Sequence, residues 1–441
     1  MSKNEAFIRE TKRKTLSFMH NMAHKAESIK LKGLLDNYDP ARVILKKPEK
    51  VRTVTFIITR MVRFHGGQTS ILHLGTELEK LGYKVCYLVC KEQSAEEMDL
   101  CASANLPGYL GKVFPLNRYM AAIKKGKIKA PDVVVASSYD TVSFVKRFED
   151  SYLMYFIQDY EPLFYKFGEE YLMARDTYMQ GLHMVSLGAW NKEMILRECG
   201  GYGVFSGNRS LALQARNEVR SNQEGRAEST LKIDVVSFPY DGSSYEYIER
   251  DFRSYKDKKK LTIAVYLKFY GKRLPDLIPY MLINTAEKLK EEGIDLEIFY
   301  FGEAKTFKAA GGKNLGQLSH AEINDLYRKA DFGMVASMSN ISLVPYEMHA
   351  AGLPVIEFGD GSYPYFFGED TALLTKIGEK DIAGLLISAV NEPEKLKVMT
   401  EKAAEKLKNL SWERTGRKFA SILKSIARSG DTGGIIGGNK L

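Results

Sequence analysis

ADFGMVASMSNISLVPYEMHAAGLPVIEF, residues 330 to 358, is the stretch whose reading decides the fold. Phe332 to Ala336 reads as a short buried strand, a polar loop follows, Pro345 to Ala351 reads as a short helix, and Pro354 to Phe358 returns as a strand. Pro345 suits a first helical turn and Gly352 suits the exit. This reading places Glu347 in the first turn, where the positive end of the peptide dipoles favours its carboxylate. There it can accept two hydrogen bonds at once from a sugar diol, as nucleotide sites at the C-terminal edge of parallel sheets require. The plain competing reading is an exposed first-turn glutamate at an ordinary helix end.

Working outward, the same alternation of short apolar runs and helical periods fills the chain. Val51 to Ile58 is a β-branched run, followed by the loop TRMVRFHGG and a helix whose Ile71, Leu72, Leu74, Leu78 and Leu81 line one face. Gly66 and Gly67 at that turn let backbone amides approach a diphosphate; a mere tight turn is the alternative, and His65 in the same loop is read as structural. Lys84 to Cys90, Asp132 to Ala136, Leu153 to Ile157 and His183 to Ser186 continue a parallel sheet with right-handed crossovers. Directly after one of them comes YFIQDYEPLFY, which sets Asp159 and Glu161 just past a strand's carboxyl end, where such sheets place chemistry. Helix capping is the competing role for both. Residues 200 to 230 read as a polar, mobile connection.

Strand character resumes at Lys232 to Phe238 and recurs at Leu261 to Leu267 and Ile294 to Tyr300, with helices at 275 to 292 and 319 to 330 between later strands. The chain thus predicts two α/β, Rossmann-like domains facing across a cleft. Their bounds are a basic helical extension at 1–50, a first domain at 51–230, a second at 231–410, a helix at 411–428 and a disordered tail at 429–441. In the second domain AVYLKFYGKRLPDL sets Lys268, Lys272 and Arg273 in the loop after the opening strand, where cations can meet a diphosphate. FGEA, with Gly302, ends the next strand.

Taken with QDYEP, the 330–358 stretch resembles retaining GT-B glycosyltransferases of family four, in particular WsaF-type rhamnosyltransferases that use dTDP-rhamnose; the likeness covers roughly residues 51 to 425. One departure is plain: the family's two glutamates are seven residues apart, and here the second is Glu347 while Ser339 occupies the place of the first. The resemblance implies a GT-B fold, a C-terminal domain holding the nucleotide sugar through Gly302, Ser342 and Glu347, with Gly66 and Gly67 bordering the donor from the N-terminal domain, and an N-terminal domain holding a glycan acceptor, free or lipid-linked. It also implies that Asp159 and Glu161 serve the acceptor side, that Lys268 and Arg273 offset the departing diphosphate, and that anomeric configuration is retained.

Composition narrows the alternatives. A chain of 441 residues with 44% hydrophobic residues fits two domains plus extensions. Residues 1 to 50 hold 12 Lys/Arg against 6 Asp/Glu, so +6 of the net +9 lies ahead of the first strong strand. With apolar positions between the charges, this segment suits either contact with an anionic membrane or packing on the protein's own surface. There is no signature of a nucleic-acid binder, no membrane-length apolar run and no secretory leader, which predicts a cytoplasmic enzyme at the inner face of the cell membrane. Cys86, Cys90, Cys101 and Cys199 lack paired spacing and read as reduced structural thiols. DxD, HExxH, GxSxG and P-loop motifs are absent, so the expectation is a transferase that needs no metal or other cofactor and handles phosphate with glycines, helix ends and cations. A GT-B-fold sugar-nucleotide epimerase and a non-catalytic scaffold of glycan assembly are the two other readings.

Overall fold

Strand β1, Thr53–Ile58 (TVTFII), has five of its six residues buried, as expected of a β-branched run covered by helices on both faces. The computed structural model describes residues 31–200, 231–240, 245–269 and 271–427, with positions 21, 22, 25, 28 and 29. The expectations for residues 1–20, 201–230 and the tail 429–441 fall outside the described residues. β1 pairs in parallel with β2 (Lys84–Val89) on one side and β4 (Val133–Ala136) on the other. With β3 (Lys112–Pro115), β5 (Tyr152–Ile157), β6 (His183–Leu187) and β7 (Ile233–Val236), they form a seven-stranded sheet of order β3-β2-β1-β4-β5-β6-β7.

The second sheet repeats the plan. β8 (Lys260–Tyr266), β9 (Asp295–Phe301), β10 (Lys313–Asn314), β11 (Phe332–Met334), β12 (Val355–Phe358) and β13 (Leu373–Thr375) run in the order β10-β9-β8-β11-β12-β13, again parallel. Both sheets therefore reverse direction beside their first strand, which opens a crevice at the C-terminal edge.

Three differences from the sequence reading have physical causes. Ile233–Val236, assigned above to the second domain, pairs with β6 and completes the first sheet; an apolar run does not encode which sheet it joins. The edge strands β3, β10 and β13 were not anticipated, being short and only partly buried. Leu81, expected on the buried face of helix Gly66–Lys80, is its C-cap and 43% exposed.

The last helix, Trp412–Ile426, does not stay with the second domain. It lies on helix Gly66–Lys80 and buries Phe419, Leu423 and Ile426 in the first domain's core. Gly416 marks the crossing, since a Cβ there would stand 2.5 Å from the Cβ of Glu77, and Trp412 stacks on His73 at 4.7 Å. Part of the N-terminal extension also packs on the first domain. The N–H of Val43 donates to the carbonyl of Gln180 at 2.7 Å, that of Asp39 to Ser143 Oγ at 2.9 Å, and Lys146 Nζ donates to the carbonyls of Asp39 and Ala41. Among the described residues no helix is long and apolar enough to cross a membrane.

Candidate active site

Loops from the C-terminal edges of both sheets enclose an open cleft of about 1680 Å³. On the first-domain wall, helix Gly66–Lys80 begins with its two glycines, capped by His65, whose Nδ1 accepts a long 3.4 Å bond from the Gln68 N–H. Burial lowers the pKa of His65 and keeps the ring neutral. A Cβ on Gly66 would meet nothing within 4 Å, whereas one on Gly67 would lie 3.4 Å from the Gln158 amide. Gly66 therefore presents bare backbone to the cleft.

The loop after β5 carries Asp159 and Glu161 in different settings. Glu161 is 7% exposed, and its carboxylate accepts from the Tyr139 N–H at 2.9 Å and the Tyr155 hydroxyl at 2.6 Å. Burial pushes its pKa up to about 8, against the pull of those two donors, so this side chain is protonated at neutral pH. Asp159 reaches across the cleft instead. One oxygen accepts from the N–H groups of Tyr160 at 2.8 Å and Asn340 at 2.9 Å; the other accepts from Ser339 Oγ at 2.9 Å and Lys272 Nζ at 3.0 Å. Asn340 adds bonds from Nδ2 to the carbonyls of Gln158 at 2.6 Å and Leu187 at 3.0 Å.

The second-domain wall holds the remaining predicted residues. Helix Leu343–Ala350 starts two residues earlier than the sequence suggested, so Glu347 lies in its second turn, not its first. The cause is that Ser342 takes the capping position while Pro345 is accommodated in the first turn, where its missing N–H costs nothing. Dipole stabilisation of Glu347 falls off accordingly. Burial raises its pKa to about 7, partly offset by a hydrogen bond from Tyr245. Ser342 makes no side-chain cap bond, and its Oγ has no partner among the described residues.

Lys268 lines the cleft without a hydrogen-bond or ion-pair partner among the described residues. Arg273 is 6% exposed and donates from Nη1 to the Ala336 carbonyl at 2.6 Å; its charge also lowers the pKa of buried Glu357, which burial has raised to about 7. Gly302, at φ +102°, has no room for a side chain, because a Cβ would stand 2.6 Å from the Tyr266 ring. It shapes the loop floor through its backbone.

The cleft thus gathers Gly66, Gly67, Asp159, Glu161, Lys268, Arg273, Gly302, Ser342 and Glu347 on its walls. Sequence reasoning missed the bonds that Lys272 and Asn340 make to the first domain. Lys272, read with its neighbours as a cation that can meet a diphosphate, is bound instead to Asp159, and its ammonium stands 4.1 Å from the centre of the Phe164 ring. Nothing local in KFYGKR separates it from its neighbours.

HepE of Anabaena, solved with UDP and glucose, superimposes with a TM-score of 0.55 over 85% of this chain and 100% of its own, at 12% identity. The fold is GT-B. A second structure with this likeness is the N-terminal domain of trehalose-6-phosphate phosphatase from Candida albicans, with a TM-score of 0.58 over 88% of this chain and 99% of that one, at 10% identity. No family model matches the chain. Among curated proteins, the D-inositol 3-phosphate glycosyltransferase of Rhodococcus erythropolis is 26% identical over 247 residues, 51% of this chain. The O-antigen biosynthesis protein RfbC of Myxococcus xanthus is 22% identical over 404 residues, 88% of this chain. The matched regions span 55% and 28% of those relatives' own lengths. In the GT-B frame, the two walls described above are the inner faces of its two domains.

Proposed function

We propose that this chain is a glycosyltransferase that moves a sugar from a nucleoside diphosphate donor to a glycan acceptor, without a metal and with retention of configuration. The observation that carries the reading is the largely buried Glu347 carboxylate on the second-domain wall, in a helix whose cap, Ser342, leaves its hydroxyl unpartnered at the cleft. A ribose diol supplies two donors to such a carboxylate, and bonds to an ionised partner are each stronger than neutral ones. Lys268 and Arg273, with the amides at Gly66 and Gly67, supply positive potential for the diphosphate as its charge grows. The leaving phosphate itself then takes the acceptor proton. Asp159 and Glu161 serve the acceptor side by fixing the loop after β5.

The relatives named as a D-inositol 3-phosphate glycosyltransferase and an O-antigen biosynthesis protein support this class of reaction, and the WsaF-like motifs favour dTDP-rhamnose as donor and a cell-surface polysaccharide as product. We assign residues 1–50, apart from the stretch around Asp39 to Val43 that packs on the first domain, to peripheral contact with an anionic membrane, where a lipid-linked acceptor would be met. A thermal-shift screen of dTDP-, UDP- and GDP-sugars, followed by transfer assays with EDTA and with magnesium, tests the proposal. A donor that raises the melting temperature and is consumed only with an acceptor supports it. One specific observation favours a second reading, a non-catalytic scaffold: Ser339 replaces a carboxylate and is engaged in joining the two domains. Nucleotide binding without turnover across a broad acceptor panel would favour that reading.

A further inference from the structure

The first sheet reverses its strand order between β1 and β4, and open parallel sheets bind ligands beyond the strand ends at such a reversal. Three side chains meet there: Thr59, Ser138 and Asp140. Thr59, the residue after β1, donates from Oγ1 to one Asp140 carboxylate oxygen at 2.8 Å; Ser138 Oγ donates to the other at 2.5 Å. All three residues line the cleft, as does Gly66, above which a Cβ would find open space.

Asp140 has no salt-bridge partner within 4.0 Å among the described residues. It stands in the first turn of the short 3-10 segment Tyr139–Thr141, yet no backbone N–H among the described residues donates to it. The local capping is done by the Thr141 hydroxyl, which accepts from the N–H groups of Ser137 at 3.0 Å and Ser138 at 3.2 Å. This half-buried carboxylate thus has neither a cation nor a capping role among the described residues. A carboxylate offers roughly four acceptor sites, and Thr59 and Ser138 fill two. Neutral hydroxyls suit the remainder; phosphate oxygens are repelled. Lys268, Lys272 and Arg273 line the cleft from the other domain and Arg60 and Lys91 from this one, yet none of the five makes a salt bridge to Asp140 among the described residues, so the repulsion of phosphate is local to this carboxylate.

We propose that Asp140, with Thr59 and Ser138 beside it, binds hydroxyls of the acceptor sugar and thereby selects an acceptor whose receiving end is neutral rather than phosphorylated. This rests on the glycosyltransferase reading and names its acceptor subsite. Asp140→Asn keeps the shape and removes the charge. It raises the acceptor KM about 10- to 100-fold, the loss expected for hydrogen bonds to a charged group, leaves nucleotide-sugar affinity within about twofold, and narrows the preference for neutral over phosphorylated acceptors. Thr59→Val gives a smaller rise in the same KM.

A binding arm separates failure of this assignment from failure of the reaction class. Saturation-transfer NMR on wild type and Asp140→Asn uses methyl α-L-rhamnopyranoside and glucose 6-phosphate as probes, each with dTDP present. Binding of the neutral probe by wild type, weakened in the variant, supports the subsite even if no transfer is found. Equal binding of the neutral probe by both proteins, its absence from wild type, or an unchanged acceptor KM in an active Asp140→Asn enzyme overturns it. Absence of nucleotide-sugar binding and of transfer in wild type overturns the reaction class instead.

Discussion

Ser339 donates its hydroxyl to the Asp159 carboxylate at 2.9 Å, and the two residues belong to different domains. With the Lys272 ammonium at 3.0 Å and the Asn340 N–H at 2.9 Å on the same carboxylate, one side chain of the first domain collects three donors from the second. Asp159→Ala should therefore lower stability by about 1.5 to 3 kcal/mol, the range for hydrogen bonds to a charged group, because Ser339 and Lys272 lose their partner together. It should also loosen the domains. Urea denaturation and small-angle scattering check this; unchanged stability and radius of gyration would show that the tie is dispensable.

Glu347 carries a pH signature. Its pKa stands near 7 because burial disfavours the charged form, while diol binding requires the ionised form. Nucleotide affinity should then be greatest above pH 7 and fall by up to tenfold per unit below it, with proton release on binding. Glu347→Gln should abolish that slope and weaken binding by about 1.5 to 3 kcal/mol. Calorimetric titration between pH 5.5 and 8.5 measures both, and a flat wild-type profile would remove Glu347 from the ribose.

The two glycines at the cleft should respond in opposite ways. Gly66→Ala has space for its methyl group and should fold with stability within about 1 kcal/mol of wild type. It should nevertheless bind nucleotide less well, since the methyl enters the space offered to the ligand. Gly302→Ala meets a positive φ and the Tyr266 ring, and should cost about 1 to 3 kcal/mol of stability. Paired thermal melts and nucleotide titrations distinguish the two.

Lys268 and Arg273 should also separate. Lys268→Ala removes a cation with no hydrogen bond or ion pair within 4.0 Å among the described residues, and should raise the reaction barrier by about 2 to 4 kcal/mol with little change in folding. Arg273→Ala should lower both turnover and stability, because it leaves the Ala336 carbonyl without its donor and Glu357 without a neighbouring positive charge. Donor turnover with and without EDTA, beside urea denaturation, is the measurement. Full turnover in both variants would show the loop to be misassigned, and magnesium-dependent rescue from EDTA would exclude a metal-free reaction.

Stability should depend on pH through Glu161. Its folded pKa, near 8, lies above the ordinary carboxyl value, so the folded protein holds a proton that the unfolded chain releases. That contribution is fully present below the unfolded pKa and is lost as pH rises towards 8. Between these limits its slope is at most about 1.4 kcal/mol per pH unit. His183 and His349, with pKa values lowered to about 4 and about 3, act oppositely only below the ordinary histidine range. Melting temperature should thus fall between pH 6.5 and 8, and Glu161→Gln should flatten the fall. A wild-type curve without that slope would show Glu161 to be ionised.

Periodicity made most strands and the doubled plan legible, because β-branched runs such as TVTFII must be covered on both faces wherever they fall. It could not assign Ile233–Val236 to a sheet or detect Lys313–Asn314, whose two residues carry no apolar signal. Glu347 was legible as a candidate from its residue type and spacing, but its turn depended on whether Ser342 or a later residue caps the helix. The partnerships of Asp159 were invisible, since Ser339 and Asn340 are distant in sequence and belong to the other domain. Asp140 gave no cue because a single acid after a strand is common; only Thr59, arriving from another strand, marks it out.

Because Trp412–Ile426 returns to the first domain, the second domain is tethered at both ends, by the outgoing segment after β7 and by the incoming one before Trp412. Two tethers make a door hinge rather than a swivel: they favour bending about the line joining them and oppose free rotation. Phe419, Leu423 and Ile426 are each 0% exposed in the first domain's core, so clipping the chain ahead of Trp412 would pull the hinge pin and damage the opposite lobe from the one that was shortened.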